Sequence, residues 1–189
     1  MPDPLSVATP GAGITNIAVG VRNSQGLARL PAGEMLFIDH GPSGARDEGG
    51  RIGRDELNVL REDANYGWPI ESGIHVDGRF VQPMYEWTVS AAPAGLVALA
   101  RTSGTSDTVD VFSSTLRAQA LYRIVLVKGT DSWSVSCAQP LDFADHGRLR
   151  GIAAHPRGGL LVSTSNRDSR GVPRPGDDRI LLIRPSENR

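Results

Sequence analysis

LRGIAAHPRGGLLVSTSN, residues 149 to 166, holds two short apolar runs on either side of the segment HPRGG. Its Pro156, Gly158 and Gly159 suit a tight reversal of the chain, because proline fixes φ and glycine tolerates positive φ. Short apolar runs joined by such a reversal are typical of paired strands. The stretch therefore predicts a β-hairpin.

The same punctuation extends over the whole chain of 189 residues. Its 22 glycines and 13 prolines are spread along the sequence and separate short apolar runs rather than long amphipathic segments. This pattern predicts an all-β protein. Residues 55–60 are the only helix candidate, and they are too few to distinguish a helix from a strand or turn. The predicted strands cover residues 14–21, 34–39, 95–100, 120–128, 133–137, 149–154, 160–164 and 179–184.

Short strands with turn signals about every ten residues indicate a sandwich, a barrel or a propeller. At roughly 40 to 50 residues per four-stranded blade, this length corresponds to about three or four blades. Three blades cannot close a ring, and an open arc exposes strand edges that proteins normally cover. A propeller of this length would therefore need a partner or a further segment.

Charge and hydropathy argue against several classes of protein. Lys and Arg number 20 against 21 Asp and Glu, so the net charge of −1 gives no global field to attract a nucleic acid. No apolar run approaches the ~18 residues of a membrane span, so no membrane association is expected. Residues 1–16 have neither a basic region nor a long apolar run, so no secretory signal is predicted.

Metal-binding and thiol chemistry find little support in the residue spacing. The 4 histidines lack the spacing of zinc ligands. Cys137, the single cysteine, lies in a strand-like stretch and is expected to be a buried small hydrophobe. Residues 39–58 and 165–179 are rich in Asp, Arg and Gly, and their composition alone predicts solvated loops.

Four motifs occur in order along the first part of the chain: RNSQGLA at residues 22–28, DHGP at 39–42, DELN at 55–58 and NYGWP at 65–69. Together they resemble the pyrroloquinoline quinone (PQQ) dependent glucose/sorbosone dehydrogenase family. The likeness continues weakly through YEWTVSAAPAGL at residues 85–96 and GRLRGIAAHPRGGLLVSTSNRD at 147–168.

This resemblance implies an all-β propeller of four-stranded blades. The chain would supply about three blades of a six-bladed fold, as one partial domain over residues 1–189 with residues 1–13 flexible. The family's catalytic histidine belongs to the half that the chain does not match, so the resemblance assigns no catalytic residue.

PQQ is an anionic tricyclic quinone with three carboxylates, which guanidinium groups can bind in forked geometry. Alternation along a strand would direct the side chains of Arg148 and Arg150 to the same face. An alternative stays open for each of two pairs: Arg148 and Arg150 could be a solvent-facing pair, and Tyr85 and Trp87 could be an aromatic pair of the core. The resemblance assigns cofactor contacts to Arg22, Asn23, Arg117, Arg148 and Arg150, and a place at the border of the cofactor pocket to Tyr85 and Trp87.

Calcium is the second cofactor that the resemblance implies, and it requires hard oxygen ligands. The carbonyls of Gly41 and Pro42 correspond to the ion that activates PQQ, and Glu56 with the carbonyl of Tyr66 corresponds to a structural ion. Residues 43–54 are longer than the family spacing, and the tripeptide RDE occurs at residues 46–48 and again at 54–56. This segment would either displace the calcium loop or bulge into solvent.

The activity that the resemblance implies is oxidation of a sugar hydroxyl with hydride transfer to PQQ, by an enzyme that this chain represents incompletely. The alternative is a non-catalytic half-propeller that acts as a binding or interaction module. The expected partners are a small-molecule sugar and a second copy or another chain that completes the propeller. Members of the family are typically periplasmic or secreted.

Overall fold

Antiparallel sheets account for the architecture of residues 13–101 and 107–184, which the computed structural model describes. Within these residues, 3-10 helices cover only Arg46–Glu48 and Ala144–His146. The all-β prediction is confirmed. The strands are β1 (Ala18–Val19), β2 (Ser24–Arg29), β3 (Met35–Asp39), β4 (Asp55–Val59), β5 (Ala64–Asn65), β6 (Tyr85–Trp87), β7 (Pro93–Ala100), β8 (Thr108–Thr115), β9 (Ala120–Lys128), β10 (Trp133–Asp142), β11 (Leu149–Ala154), β12 (Leu160–Thr164) and β13 (Ile180–Ile183).

Three antiparallel sheets follow one another along the chain. The first has the order β2-β3-β4-β6, the second β7-β8-β9-β10 and the third β11-β12-β13. β1 and β5 form a separate parallel pair. None of the described helices has the length and apolar character that a membrane crossing requires.

The predicted hairpin at residues 149–166 is confirmed. β11 and β12 pair in antiparallel register from Leu149 opposite Thr164 to Ala154 opposite Leu160. In the turn, the amide of His155 donates to the carbonyl of Gly159 at 3.0 Å. Residues 55–60, which local pattern leaves open, form strand β4 over most of their length, because pairing with β3 and β6 on its two sides decides the conformation.

The apolar pattern does not predict β2, β5, β6 or β8. In β8 the side chains of Ser114 and Thr115 are fully buried, yet their hydroxyls donate to the carbonyls of Arg150 and Ala120 at 2.5 and 2.7 Å. Polar residues can therefore line a buried strand when their hydrogen bonds are made. Of the other predicted strands, residues 14–21 contract to β1, whereas 133–137 extend to the whole of β10.

Cys137 is exposed, so the prediction of a buried thiol is wrong. It lies on β10, the outer strand of its sheet, where the pairing register shifts between Val135 and Cys137. Such a bulge changes which face the following side chains present, and an isolated cysteine gives no sign of it.

Each of the three sheets has one edge strand that lies next to a neighbouring sheet: β2, β7 and β11, called the inner strands. These strands approach closely because two glycines leave room. A Cβ on Gly26 of β2 would lie 2.8 Å from the amide nitrogen of Leu96 on β7. A Cβ on Gly95 of β7 would lie 2.7 Å from the carbonyl oxygen of Arg150 on β11. β7 therefore packs between β2 and β11 at distances that no larger residue permits.

Apolar side chains fill the spaces between neighbouring sheets. The main core joins the first and second sheets, and a smaller core joins the second and third. The fully buried members of the two cores include Leu36, Ile38, Leu57, Val109, Val111, Ile124, Leu149 and Val162. Residues 1–13, expected to be flexible, lie outside the described residues except for Gly13, so that expectation stays a prediction.

Candidate functional site

Two of the inner strands begin directly after residues that the resemblance assigned to the cofactor site, and the third begins between them in the fold. β2 follows Asn23, β7 follows Ala92 and β11 follows Arg148. His40 Nε2 lies 2.6 Å from the carbonyl oxygen of Pro93, which joins the end of β3 to the start of β7. The candidate site is therefore built where these inner strands start.

Arg22 and Asn23 are positioned by Asp39 at the end of β3. The amide of Arg22 donates to Asp39 Oδ2 at 2.8 Å, and the amide of Asn23 donates to Asp39 Oδ1 at 2.7 Å. Burial raises the pKa of the Asp39 carboxyl, although these two backbone hydrogen bonds act to lower it. The Asn23 side chain accepts a hydrogen bond from Gln25 Nε2 at 2.7 Å.

Asp55 holds the loop after β3 against the start of β7. Asp55 is 2% exposed, and its carboxylate accepts hydrogen bonds from the amides of Gly41, Ala91 and Ala92 at 3.0, 2.8 and 2.9 Å. The Ser90 hydroxyl also donates to it, at 3.3 Å. One buried carboxylate thus connects two segments that are distant in sequence.

Arg148 and Arg150 direct their guanidinium groups to the same carboxylate. Nη2 of each lies 3.0 Å from Asp168 Oδ2, and Ser165 Oγ, which accepts from Arg150 Nε at 2.9 Å, donates to that oxygen at 3.1 Å. The side chain of Arg148 is 10% exposed and that of Arg150 is 47% exposed. The prediction that both point to one face is confirmed, and the solvent-facing alternative applies only in part to Arg150.

Asp168 is ionised over the ordinary pH range because of these donors. Desolvation acts to raise the pKa of its carboxyl, but hydrogen bonds from Arg148, Arg170 and Ser165 outweigh it and hold the pKa well below its usual value. Two guanidinium groups nevertheless share this one carboxylate. The cluster therefore keeps positive charge for an anionic ligand.

Arg117 joins this cluster through its backbone. Its amide donates to the carbonyl of Ala91 at 3.0 Å, and the neighbouring carbonyl of Leu116 accepts a hydrogen bond from Arg148 Nη1 at 3.3 Å. The Arg117 side chain is exposed. Its turn is thus placed beside Arg148, while its guanidinium faces solvent.

Tyr85 and Trp87 pack as a core aromatic pair. Their ring centroids lie 4.9 Å apart with the planes at 86°, and Trp87 also meets the edge of Tyr122 at 5.6 Å. Trp87 is 3% exposed and belongs to the main core. The geometry matches the core-pair alternative rather than a cofactor border, because Trp87 has almost no surface to offer a ligand.

Three of the four residues predicted to bind calcium line one narrow cleft. Gly41, Glu56 and Tyr66 all line it, together with Asp39. The carbonyl of Pro42, in contrast, accepts a hydrogen bond from the amide of Gly53 at 3.1 Å. Within residues 13–101 and 107–184, no group of three or more His, Cys, Asp or Glu side chains is arranged to hold a metal ion.

Glu56 carries the chemistry that fits a cation in this cleft. It is 6% exposed, and its carboxylate accepts hydrogen bonds from Asn58 Nδ2 at 3.0 Å and from the amide of Gly73. Burial raises the pKa of Glu56, and the neighbouring carboxylates of Asp39 and Glu86 raise it further. A hard cation beside Glu56 would relieve both effects.

The segment of residues 43–54 folds back over Arg22. Glu48 accepts a hydrogen bond from Arg22 Nε at 2.5 Å, and from the amide and hydroxyl of Ser43 at 2.7 Å each. The hydrogen bonds from Ser43 and then from Arg22 lower the pKa of Glu48 to about 2. Arg51 from the same segment lies over the Trp68 ring, 5.1 Å from its centroid. Residues 43–47 and 49–52 are exposed, as expected of a bulge into solvent, but Glu48 of the same segment also binds a predicted cofactor residue. The displacement of the calcium loop stays a prediction.

Sequence reasoning missed the roles of four carboxylates: Glu48 and Asp168, which pair with predicted arginines, and Asp39 and Asp55, which accept hydrogen bonds from backbone amides. Asp39 and Asp55 lie inside the quoted motifs, but their roles depend on backbone amides elsewhere in the chain. Asp168 falls in the segment 165–179 that composition assigned to solvated loop. The one available signal was that GRLRGIAAHPRGGLLVSTSNRD ends on this aspartate.

Comparison with protein families gives a match over nearly the full chain. The profile of the family described as Glucose / Sorbosone dehydrogenase matches residues 6–181. Among curated proteins, the aldose sugar dehydrogenase YliI of Escherichia coli K12 is 32% identical over 91 residues, which are 41% of this chain and 22% of that protein. The quinoprotein glucose dehydrogenase B of Acinetobacter calcoaceticus is 34% identical over 67 residues, 35% of this chain and 12% of that protein.

Solved structures agree with this match. A putative glucose dehydrogenase from Thermus thermophilus superimposes with a TM-score of 0.78 and 38% identity, covering 96% of this chain and 51% of that one. The PQQ-bound form of aldose sugar dehydrogenase from Streptomyces coelicolor gives a TM-score of 0.71 and 32% identity, covering 93% of this chain and 46% of that one. The chain thus spans about half the length of these structural relatives.

Proposed function

Because the chain belongs to the glucose/sorbosone dehydrogenase family, we propose that its sheets are about three blades of a six-bladed propeller and that it supplies part of a PQQ-dependent sugar dehydrogenase site. The observation that carries the proposal is the convergence of Arg148 and Arg150 on Asp168. Two guanidinium groups on one face are suited to the carboxylates of an anionic quinone.

The residues around this cluster have distinct roles in the proposal. Arg148 and Arg150 would bind carboxylates of PQQ, and Asp168 would keep both guanidinium groups in position. Asn23 would add a neutral contact, and Arg22 a charged one once it is released from Glu48. Bound PQQ would supply the hydride acceptor for oxidation of a sugar hydroxyl. A second copy or another polypeptide would supply the remaining blades, and light scattering of the purified chain tests for self-association.

The direct test is calorimetric titration of the chain with PQQ in the presence of calcium. The double substitution Arg148→Ala and Arg150→Ala is expected to weaken PQQ binding at least tenfold, because it removes two charge-assisted contacts worth about 1.5 kcal/mol or more each. The double substitution Arg29→Ala and Arg157→Ala is the matched control, since it removes the same charge away from the starts of the inner strands.

Absence of PQQ binding up to millimolar concentration would refute the proposal. Equal affinity of the two double variants would show that PQQ binds outside the arginine cluster. The second candidate function, a non-catalytic interaction module, is favoured by the internal pairing of Arg22 with Glu48 and of Arg148 with Asp168. Under that alternative the ion pairs stabilise the fold, and none of the substitutions changes PQQ binding.

Calcium is expected to stabilise the chain through Glu56. Millimolar CaCl2 should raise the melting temperature by roughly 5 °C, because an ion that binds only the folded state stabilises it by mass action. Glu56→Gln should abolish most of this rise, whereas Glu62→Gln, an exposed control, should retain it. Differential scanning calorimetry of both variants, with CaCl2 and with MgCl2, measures the rise in melting temperature. An equal rise in Glu56→Gln would place the calcium elsewhere.

Glu48 is expected to compete with PQQ for Arg22. Glu48→Gln should increase PQQ affinity by about three- to tenfold, because a neutral amide binds the guanidinium more weakly than a carboxylate does. Glu62→Gln serves again as the control, since it removes an exposed carboxylate by the same change. Calorimetric titration with PQQ of the unchanged chain, Glu48→Gln and Glu62→Gln at one ionic strength measures the three affinities. Unchanged or weaker binding by Glu48→Gln would mean that Arg22 does not contact PQQ or that the closed segment supports the site.

A further inference from the structure

His40 connects the start of β2 to the start of β7 through the two nitrogens of its ring. Its Nε2 lies 2.6 Å from the carbonyl oxygen of Pro93, the first residue of β7, which is 53 positions away. Its Nδ1 lies 3.5 Å from Nδ2 of Asn23, which directly precedes β2. The backbone amide of His40 also donates to the carbonyl of Asn23 at 3.2 Å. The imidazole therefore lies between a buried carbonyl and a residue to which the resemblance assigned a cofactor contact.

The partner of Nε2 determines the tautomer of the His40 ring. A carbonyl oxygen accepts hydrogen bonds and donates none, so Nε2 carries the proton that points to Pro93. In a neutral imidazole the other nitrogen then has a lone pair and accepts a hydrogen bond. Nδ1 thus faces Asn23 as an acceptor, and the amide of Asn23 meets it with its nitrogen rather than its oxygen.

Gln25 favours the same orientation of the Asn23 amide. Gln25 Nε2 donates to Asn23 Oδ1 at 2.7 Å and to the carbonyl of Ser24 at 3.3 Å. Turning the Asn23 amide over would set its oxygen against the lone pair of His40 Nδ1 and its nitrogen against the nitrogen of Gln25. Both neighbours therefore select one orientation. Because Asn23 is exposed and its Nδ2 carries two hydrogens, one N–H is left for a ligand.

The carbonyl of Pro93 is a fixed anchor for the ring. The preceding residue, Ala92, has a φ of 50°, a left-handed conformation that is uncommon for a residue other than glycine. The amide of Ala92 donates to Asp55 Oδ2 at 2.9 Å, and its carbonyl accepts from the amide of Leu116 at 2.9 Å. Pro93 itself is buried. The orientation of the His40 ring is therefore set by contacts of the second sheet and not by solvent.

We propose that His40 is a positioning residue of the candidate site: its ring, anchored on Pro93, orients the Asn23 amide so that Asn23 offers an N–H donor to an oxygen of the ligand. This inference rests on the proposed function, in which Asn23 contacts PQQ, and it defines that contact as a hydrogen bond donated to an oxygen of the quinone or of its carboxylates. His40 acts through Asn23 and does not need to touch the ligand.

Nitrogen NMR of the chain without PQQ tests the tautomer. Long-range correlation of ring protons with ring nitrogens at about pH 8, where histidine is ordinarily neutral, distinguishes a protonated nitrogen from an unprotonated one. The chain has 4 histidines, so the His40 signals are identified by their loss in His40→Gln. A protonated Nε2 and an unprotonated Nδ1 are expected. A protonated Nδ1, or exchange between the two tautomers, would overturn the proposal.

Calorimetric titration with PQQ in the presence of calcium tests the effect on the ligand. His40→Leu removes both hydrogen bonds of the ring and should weaken PQQ binding at least about fivefold. His40→Gln should stay within about twofold of the unchanged chain, because its amide can donate to Pro93 and accept from Asn23. Equal affinity of His40→Leu and the unchanged chain, or an equal loss in both variants, would overturn the proposal. No binding by the unchanged chain would instead refute the proposed function on which it rests.

A double-mutant cycle separates the positioning of Asn23 from a general loss of structure. In an Asn23→Ala chain, His40→Leu should change PQQ affinity by less than about twofold, because the group that it positions is absent. A further fivefold loss there would contradict action through Asn23. If His40→Leu does not fold by circular dichroism, Gln25→Leu replaces it in the cycle. This change releases Asn23 Oδ1 and should weaken PQQ binding at least about threefold, but only while Asn23 is present. Unchanged affinity in Gln25→Leu would contradict the orientation of Asn23 on which the proposal depends.

Discussion

Replacing Asp55 with alanine is expected to lower the free energy of unfolding by about 3 to 5 kcal/mol. The carboxylate is 2% exposed and accepts hydrogen bonds from the backbone amides of Gly41, Ala91 and Ala92. Alanine leaves these three donors without their acceptor, and each unsatisfied buried donor costs roughly 1 to 3 kcal/mol, reduced where water enters. Urea unfolding followed by tryptophan fluorescence measures the loss.

The matched control for this change is Asp47→Ala, which removes the same side chain from an exposed position in the segment of residues 43–54. It should alter the free energy of unfolding by less than about 0.5 kcal/mol. A loss below about 1 kcal/mol in Asp55→Ala would show that Asp55 does not hold the loop after β3 against the start of β7.

Replacing Trp87 with alanine is expected to cost about 3 to 5 kcal/mol. Trp87 is 3% exposed within the main core, and its ring contacts the edges of Tyr85 and Tyr122. The substitution leaves a cavity between the first and second sheets and removes aromatic contacts worth about 0.5 to 1.5 kcal/mol beyond buried area. Val89→Ala, at a site 80% exposed two residues along the chain, should be nearly neutral.

The same position distinguishes packing from cofactor contact. Trp87→Phe keeps a ring in the core and is expected to leave PQQ affinity within about threefold of the unchanged chain, because no quinone can stack on a buried ring. A tenfold loss of PQQ affinity in a folded Trp87→Phe protein would restore the interpretation of Trp87 as a residue that borders the cofactor.

Local sequence predicted those strands whose apolar runs are bounded by turn residues. β9, β11 and β12 occupy the residues expected of them, and the turn at residues 155–159 joins the last two. β8 was not predicted, because the serine and threonine residues at its end are typical of loops when they are considered without their partners. Their burial depends on carbonyl acceptors such as that of Arg150, which is 36 positions away from Ser114.

The candidate site also has a part that local sequence predicted and a part that it did not. Alternation along an extended segment was enough to predict that Arg148, directly before β11, and Arg150, within it, share a face, because both belong to the same short stretch. Apart from the position of Asp168 at the end of a quoted motif, the sequence did not indicate that this residue would receive both guanidinium groups. The pairing of Arg22 with Glu48 was also out of reach, since it requires residues 43–54 to turn back over the start of β2.

The sequence by itself determined the all-β class, the hairpin at residues 149–166 and the family to which the ordered motifs point. These are properties of contiguous residues, in which turn chemistry and apolar runs act over a few positions. Only the tertiary structure decided that Trp87 is core, that Cys137 is exposed and that His40 connects the starts of β2 and β7. Burial, charge pairing and strand neighbours are set by groups far apart in sequence, as Asp55 and Ala91 are at a separation of 36 residues.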